Sequence, residues 1–209
     1  MQFYNRSDAG KKLASKIMEE GVEADLVLAI PRGGLPIGRQ IADALNASLD
    51  VVGVSKIGTP ANPELAAGAV TGDGSYCLNE ETIQKTGIDS NYIEEAIHRE
   101  AENAARKEKH IRRKKPAQII KGKNVIVVDD GLATGATAKA ALRKTRKMEA
   151  KTVTFAAPVA PENTTKNLQE EADRVIILQT PKNFASVSQF YEEFPQLSYE
   201  QARKYLEKQ

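Results

Sequence analysis

The sequence predicts a doubly wound α/β fold, a mostly parallel sheet flanked by helices. Two observations carry this. Short apolar runs recur along the chain, and most are followed by stretches with helical spacing. The clearest run, Val125–Val128, ends in two carboxylates and a small-residue loop that leads straight into a helix. Strands alternating with helices pack as a parallel sheet covered on both faces, because each crossover lays a helix against the sheet.

The first strand is Asp25–Ile30 (DLVLAI), ending at Pro31-Arg32-Gly33-Gly34. An amphipathic helix follows, with Leu35, Ile37, Ile41, Ala42 and Leu45 on one side. Leu49–Ile57 reads as a second strand, Val125–Val128 as a third, Val153–Ala157 as a fourth and Val175–Leu178 as a fifth. Thr137–Met148, rich in Ala, Lys and Arg, and the shorter Thr164–Ala172 supply helices between the later strands. Ser198 and Gln201 have capping-box spacing, which predicts a final helix to about Glu207.

The segment from about Gly58 to Lys123 breaks this rhythm. Gly68–Val70 and Ser75–Leu78 flank Thr-Gly-Asp-Gly and predict a hairpin. Asn79–Thr86 reads as a short helix closed by Gly87, and Ser90 to about Arg113 as a long one striped by Ile93, Ile97, Ala101, Ala104 and Ile111. An excursion of this size between core strands carries function or an interface, or else decorates the fold. The expectation is one domain over residues 1–209, with an insertion at about 58–123 and a C-terminal hood and helix at about 180–209.

Composition narrows the function classes. No apolar run approaches the roughly 20 residues needed to span a bilayer, and residues 1–8 hold no apolar signal segment, so a cytoplasmic protein without a membrane partner is expected. With Cys77 as the only cysteine and His98 and His110 as the only histidines, a thiol- or imidazole-based metal site is not expected. From Arg106 to Lys115 there are seven Lys or Arg residues and one Glu. That run reads either as a solvated helix end, where cations favour the dipole, or as a patch meeting a polyanion. No recognition motif accompanies it, so a nucleic-acid partner is not expected.

The chemistry concentrates in Val125-Ile-Val-Val-Asp-Asp-Gly-Leu-Ala-Thr-Gly-Ala-Thr137. In open α/β sheets ligands bind beyond the carboxyl ends of strands, and loop amides plus a helix N-terminus cradle phosphate. Gly131 and Gly135 allow close backbone approach, and Thr134 and Thr137 add hydroxyl donors. Asp129 and Asp130 suit neutral hydroxyls or a hydrated cation but repel phosphate. A ligand with a phosphate at one end and a diol beside it, such as ribose 5-phosphate, has that form.

Val125–Thr137 resembles the binding motif for 5-phosphoribosyl-1-pyrophosphate (PRPP) of type I phosphoribosyltransferases. The resemblance implies that Asp129 and Asp130 hold the ribose hydroxyls and that Gly131, Leu132, Ala133, Thr134, Gly135, Ala136 and Thr137 wrap the 5-phosphate. The turn Pro31-Arg32-Gly33-Gly34 resembles the family's pyrophosphate loop, with Arg32 as a forked cation. Lys56 stands where relatives place a further pyrophosphate cation; a plain surface lysine is the alternative. Arg106, Arg112 and Arg113 are more remote candidates for the same anion. Asn62-Pro63-Glu64 reads as a closing loop or a simple Pro turn. After the last core strand, Phe184 is the candidate base contact, although an aromatic there also serves as core.

Ser55–Gly58, Asn62–Ala66, Gly68–Val70, Phe184–Val187 and Phe190–Phe194 are similar to a set of bacterial and archaeal predicted phosphoribosyltransferases, so the likeness covers nearly the whole chain. It implies transfer of ribose 5-phosphate from PRPP to a nitrogen acceptor, a nucleobase, with Mg²⁺ held through PRPP and water near Asp129 and Asp130 rather than by direct protein ligands. A homodimer is implied by the same analogy. One departure is Ala133, where relatives acting on 6-oxopurines carry an acid; the loop instead resembles the adenine-using type. The rival expectation is a PRPP-sensing regulator without transferase activity.

Overall fold

A computed structural model describes residues 2–207. The chain opens on a helix, α1 (Arg6–Glu19), started by the Asn5 side chain accepting from the Asp8 amide at 3.0 Å. Then follow β1 (Leu26–Ala29), α2 (Gly34–Leu45), β2 (Ser48–Val51), β3 (Val54–Gly58), β4 (Ala66–Thr71), β5 (Tyr76–Leu78), α3 (Glu80–Thr86) and α4 (Ser90–Arg112). The second half holds β6 (Asn124–Val128), α5 (Ala136–Lys147), β7 (Thr152–Val159), α6 (Glu162–Leu168), β8 (Arg174–Gln179) and α7 (Tyr199–Glu207), with a 3-10 turn at Val187–Phe190 before α7.

Five strands form a parallel sheet in the order β2-β1-β6-β7-β8. Alternation along the strands divides the core. Leu26, Leu28, Val125, Val127, Val153 and Phe155 face α5 and α6, whereas Val27, Ala29, Ile126, Val128 and Ala156 face α1, α2 and α7. The chain winds outward in one direction from β1 and in the other from β6. The order therefore reverses between these two neighbouring strands, the topological switch point at which such sheets bind ligands.

The expected second strand, Leu49–Ile57, is in fact two. Ser48–Val51 pairs in parallel with β1, and Val54–Gly58 leaves to pair antiparallel with β4 in a separate three-stranded sheet, β3-β4-β5. An unbroken run of β-favouring residues hides such a change of sheet. The break falls at Val52-Gly53, where the Gly53 amide donates to Glu108 Oε2 of α4 at 2.8 Å. The hairpin, the short helix capped by Asn79 and the long helix of the excursion all form as expected. So does the capping box of α7: Ser198 N donates to Gln201 Oε1 at 2.8 Å and Gln201 N to Ser198 Oγ at 3.1 Å.

A closed charge network locks α4 to the sheet. Arg112 donates to Asp50 Oδ1 at 2.9 Å, to Glu108 Oε1 at 2.8 Å and to the Val51 carbonyl at 3.0 Å. Lys144 of α5 donates to Glu108 Oε2 at 3.0 Å, and the Gln118 amide to Asp50 Oδ2 at 2.9 Å. Burial works against the Glu108 carboxylate, yet Lys144, the Gly53 amide and Arg112 hold its pKa below the usual range. Among the described residues no helix is long and apolar enough to cross a membrane.

Candidate functional site

The loops after β1 and β6 lie side by side because their strands do. Ile30 N donates to the Val128 carbonyl at 2.9 Å, which ties the start of one loop to the start of the other. Next comes the Pro31–Gly34 turn, whose Pro31-Arg32 peptide is cis. A Cβ on Gly33 would lie 1.9 Å from Asp130 Oδ2, so only glycine lets this turn rest against the acid.

Asp129 and Asp130 end β6 at this junction. Asp130 N donates to Asp129 Oδ1 at 2.8 Å. Burial, and then the neighbouring Asp130 charge, push the Asp129 pKa well above the ordinary carboxylate value. Asp130 has a partner that the sequence reading did not include. Arg6 Nε donates to Asp130 Oδ2 at 2.7 Å, with the two side chains only 10% and 15% exposed. The Arg6 guanidinium also lies 3.7 Å from the Phe194 ring centroid and donates to the Pro195 carbonyl at 2.9 Å. Tyr191 donates its hydroxyl to the Asp130 carbonyl at 2.7 Å, and burial, reinforced by the Asp130 charge, raises its pKa.

The hood and the N-terminal segment brace one another here. Phe3 N donates to the Phe190 carbonyl at 2.8 Å, and Glu192 N returns a bond to the Phe3 carbonyl at 2.9 Å. Nothing in local spacing signals the Arg6–Asp130 pair, which joins positions 124 residues apart.

The expected 5-phosphate loop runs from Gly131 into α5. Gly135 takes φ +76°, a left-handed conformation that glycine adopts without strain, and no side chain caps the helix that follows. The first-turn amides of α5 therefore have no capping side chain from Gly135. Thr164 Oγ1 donates to the Ala133 carbonyl at 2.8 Å and pins the loop from α6. On this side lies a cavity of about 1020 Å³, whose walls include Ala133, Thr134, Ala136, Lys139, Lys182 and Phe184. Phe184 stacks on Phe190 at 5.6 Å between centroids while still reaching this cavity. Asp129, Asp130 and the Pro31–Gly34 turn are not among its walls.

Other candidates are placed differently. Lys56 is exposed and donates to the Glu64 carbonyl, so it faces the 59–65 loop. Of the remote arginines, Arg112 is consumed by the Asp50–Glu108 network. Arg32 lies 5.1 Å from the Tyr199 ring centroid, and α7 thereby reaches the Pro31–Gly34 turn. Neither Tyr199 nor Arg6 figured in the sequence reading of the site.

An open α/β sheet with two glycine-containing loops side by side at its switch point is the class of fold in which ligands bind beyond the strand ends. Within that class the chain belongs to the phosphoribosyl transferase domain family, which matches residues 2–194. Two Mycobacterium tuberculosis proteins assigned by name to the phosphoribosyl transferases are each 36% identical over 206 residues, 99% of this chain. The chain spans 46% of their length, so it corresponds to about half of each. The crystal structure of TT1426 from Thermus thermophilus superposes with a TM-score of 0.82 at 35% identity, covering 99% of this chain and 98% of that one. A purine phosphoribosyltransferase from Pyrococcus horikoshii shares the fold, with a TM-score of 0.50 at 18% identity over 92% of this chain and 93% of that one.

Proposed function

We propose that the protein transfers ribose 5-phosphate from PRPP to a nitrogen acceptor, a nucleobase, and releases pyrophosphate. The observation that carries this reading is the meeting of the two loops at the switch point, with Gly33 against the Asp130 carboxylate. A ligand spanning them needs an anion at each end and hydroxyls between, as in PRPP.

In this reading the Ala133–Thr137 part of the loop takes the 5-phosphate on its amides, Leu132 being buried with its amide bonded to the Val159 carbonyl at 3.0 Å, and Asp129 and Asp130 orient the ribose through its hydroxyls. Arg6 offsets the Asp130 charge, which would otherwise repel an anionic substrate. The C1–O bond to pyrophosphate breaks as the acceptor nitrogen bonds to C1 and gives up its proton. Charge gathers on the departing pyrophosphate, which Arg32 and the Gly33 amide stabilise, the Gly34 amide being bonded to the Ile30 carbonyl at 3.0 Å. Two carboxylates beside an anion site fit a hydrated divalent cation, and Mg²⁺ held through PRPP and water there would share in neutralising the leaving group. Ala133 cannot accept the acceptor's proton. Phe184, on the cavity wall, is the stacking contact proposed for the base.

The regulator alternative relied on Arg106–Lys115 as a polyanion surface. Part of that run serves the fold: Arg112 pairs with Asp50 and Glu108, and Lys115 donates to the Leu206 carbonyl, whereas Arg106, Lys109, Arg113 and Lys114 are exposed. The test is to incubate the protein with PRPP, Mg²⁺ and a panel of nucleobases and to follow pyrophosphate. Release with one base is expected; PRPP binding without release for any acceptor would contradict the transferase reading.

A further inference from the structure

We propose that Lys107 of α4 is a second cationic ligand for the pyrophosphate end of the substrate, acting with Arg32 across a recess between α4 and Tyr199 of α7. The inference rests on the PRPP reading and adds to it a residue from the excursion.

Lys107 is half-buried, and its Nζ donates to Ser55 Oγ of β3 at 3.1 Å. The Ser55 hydroxyl is itself directed to Glu100 Oε2, at 2.7 Å, so the carboxylate reaches Lys107 only through the serine. Among the described residues no carboxylate pairs directly with Lys107 or with Arg32. Arg32 is also half-buried, and its only close aromatic neighbour is Tyr199. A cavity of about 270 Å³ opens beside Lys107, walled by Asn103, Arg106, Lys107, His110 and Tyr199; Arg32 is not one of its walls but lies against Tyr199, which is.

Two cations held near each other, out of water and without a direct counter-ion, repel one another and lose hydration. Burial first, and then the Arg32 charge, lower the Lys107 pKa against the pull of Glu100. A structural lysine in this same fold is built otherwise: Lys144 sits 3.0 Å from the Glu108 carboxylate. An anion that bridges Lys107 and Arg32 removes the repulsion, and a pyrophosphate carries enough charge to meet both. Tyr199 on one side of Arg32, with His110 edge-on to it at 4.9 Å, keeps the guanidinium at the recess.

The experiment compares wild type, Lys107→Met and Lys107→Arg by calorimetry in Mg²⁺, with PRPP and with ribose 5-phosphate as probes. Methionine keeps the packing of the stem and removes the charge. The expected result is a loss of about tenfold or more in PRPP affinity for Lys107→Met. Ribose 5-phosphate affinity should stay unchanged, and Lys107→Arg should remain within about threefold of wild type. Unchanged PRPP binding by Lys107→Met would overturn the assignment and leave the PRPP reading standing. Equal losses for both probes would mark Lys107 as structural and also overturn it. A wild-type protein that binds no PRPP would overturn both readings.

Discussion

Two charged regions of this molecule are built on opposite terms. In the Asp50–Arg112–Glu108–Lys144 network each charge has a direct opposite partner, and the backbone supplies the remaining bonds. At the switch point two carboxylates, Asp129 and Asp130, stand side by side instead, and among the described residues neither Arg32 nor Lys107 has a direct carboxylate partner. The first arrangement holds α4 in place and asks nothing of a ligand. The second leaves charge to be completed from outside, and only Arg6 relieves it in part. Compensation in place marks structure, and its absence marks binding.

Breaking each region should therefore give opposite signatures. Arg112→Ala strands Asp50 and Glu108 in the interior and should cost about 3–5 kcal/mol of stability. In denaturant titration this should appear as a lower midpoint, while the fraction still folded binds PRPP with wild-type affinity. Arg6→Met removes the one counter-ion of the acid pair. It should cost about 3 kcal/mol as well, but here PRPP affinity should fall with stability, since Asp130 is left beside Asp129 unrelieved.

Asp129→Asn should do the reverse. Its carboxyl has a raised pKa in the folded protein, so its contribution to stability is full below the unfolded value of about 3.9 and is lost as pH rises through the folded value. Replacement by asparagine should therefore raise the thermal midpoint near neutral pH, a gain that disappears below about pH 4, while ligand binding is lost. Destabilisation at neutral pH would contradict this account of the acid pair.

The smallest effect belongs to the hairpin. Burial opposes the Asp73 charge, but bonds from Thr71, Ser75 and Lys147 draw its pKa down to about 2. Its stabilisation is present above about pH 3.9 and fades as pH falls toward the folded value. Asp73→Asn should cost about 0.5–1 kcal/mol at neutral pH and nothing measurable near pH 2.

The sequence carried the fold as far as local pattern reaches. Strands β1, β6, β7 and β8, the helices after the two loops, and the caps at Asn79 and Ser198 follow from apolar spacing and side-chain chemistry. Asn5 with Asp8, then Ala9, Leu13 and Ile17, mark α1 in the same language, although that helix was not among the elements read from the sequence. The change of sheet at Val52-Gly53 was hidden, because residues on both sides favour strands equally. Within the site, Asp129, Asp130 and the two glycine loops were legible since each is a contiguous motif. Arg6 and Tyr199 were not: each comes from a distant helix, and its neighbours are fixed by packing alone. Lys107 was legible only as one cation of the Arg106–Lys115 run, without its neighbour Ser55.

The central claim is that the acid pair and its loop bind PRPP. Calorimetry with PRPP and Mg²⁺ on the wild type and on the Asp129→Asn, Asp130→Asn double variant tests it most directly. The account predicts binding by the wild type and none by the folded variant; undiminished binding by the variant would contradict it.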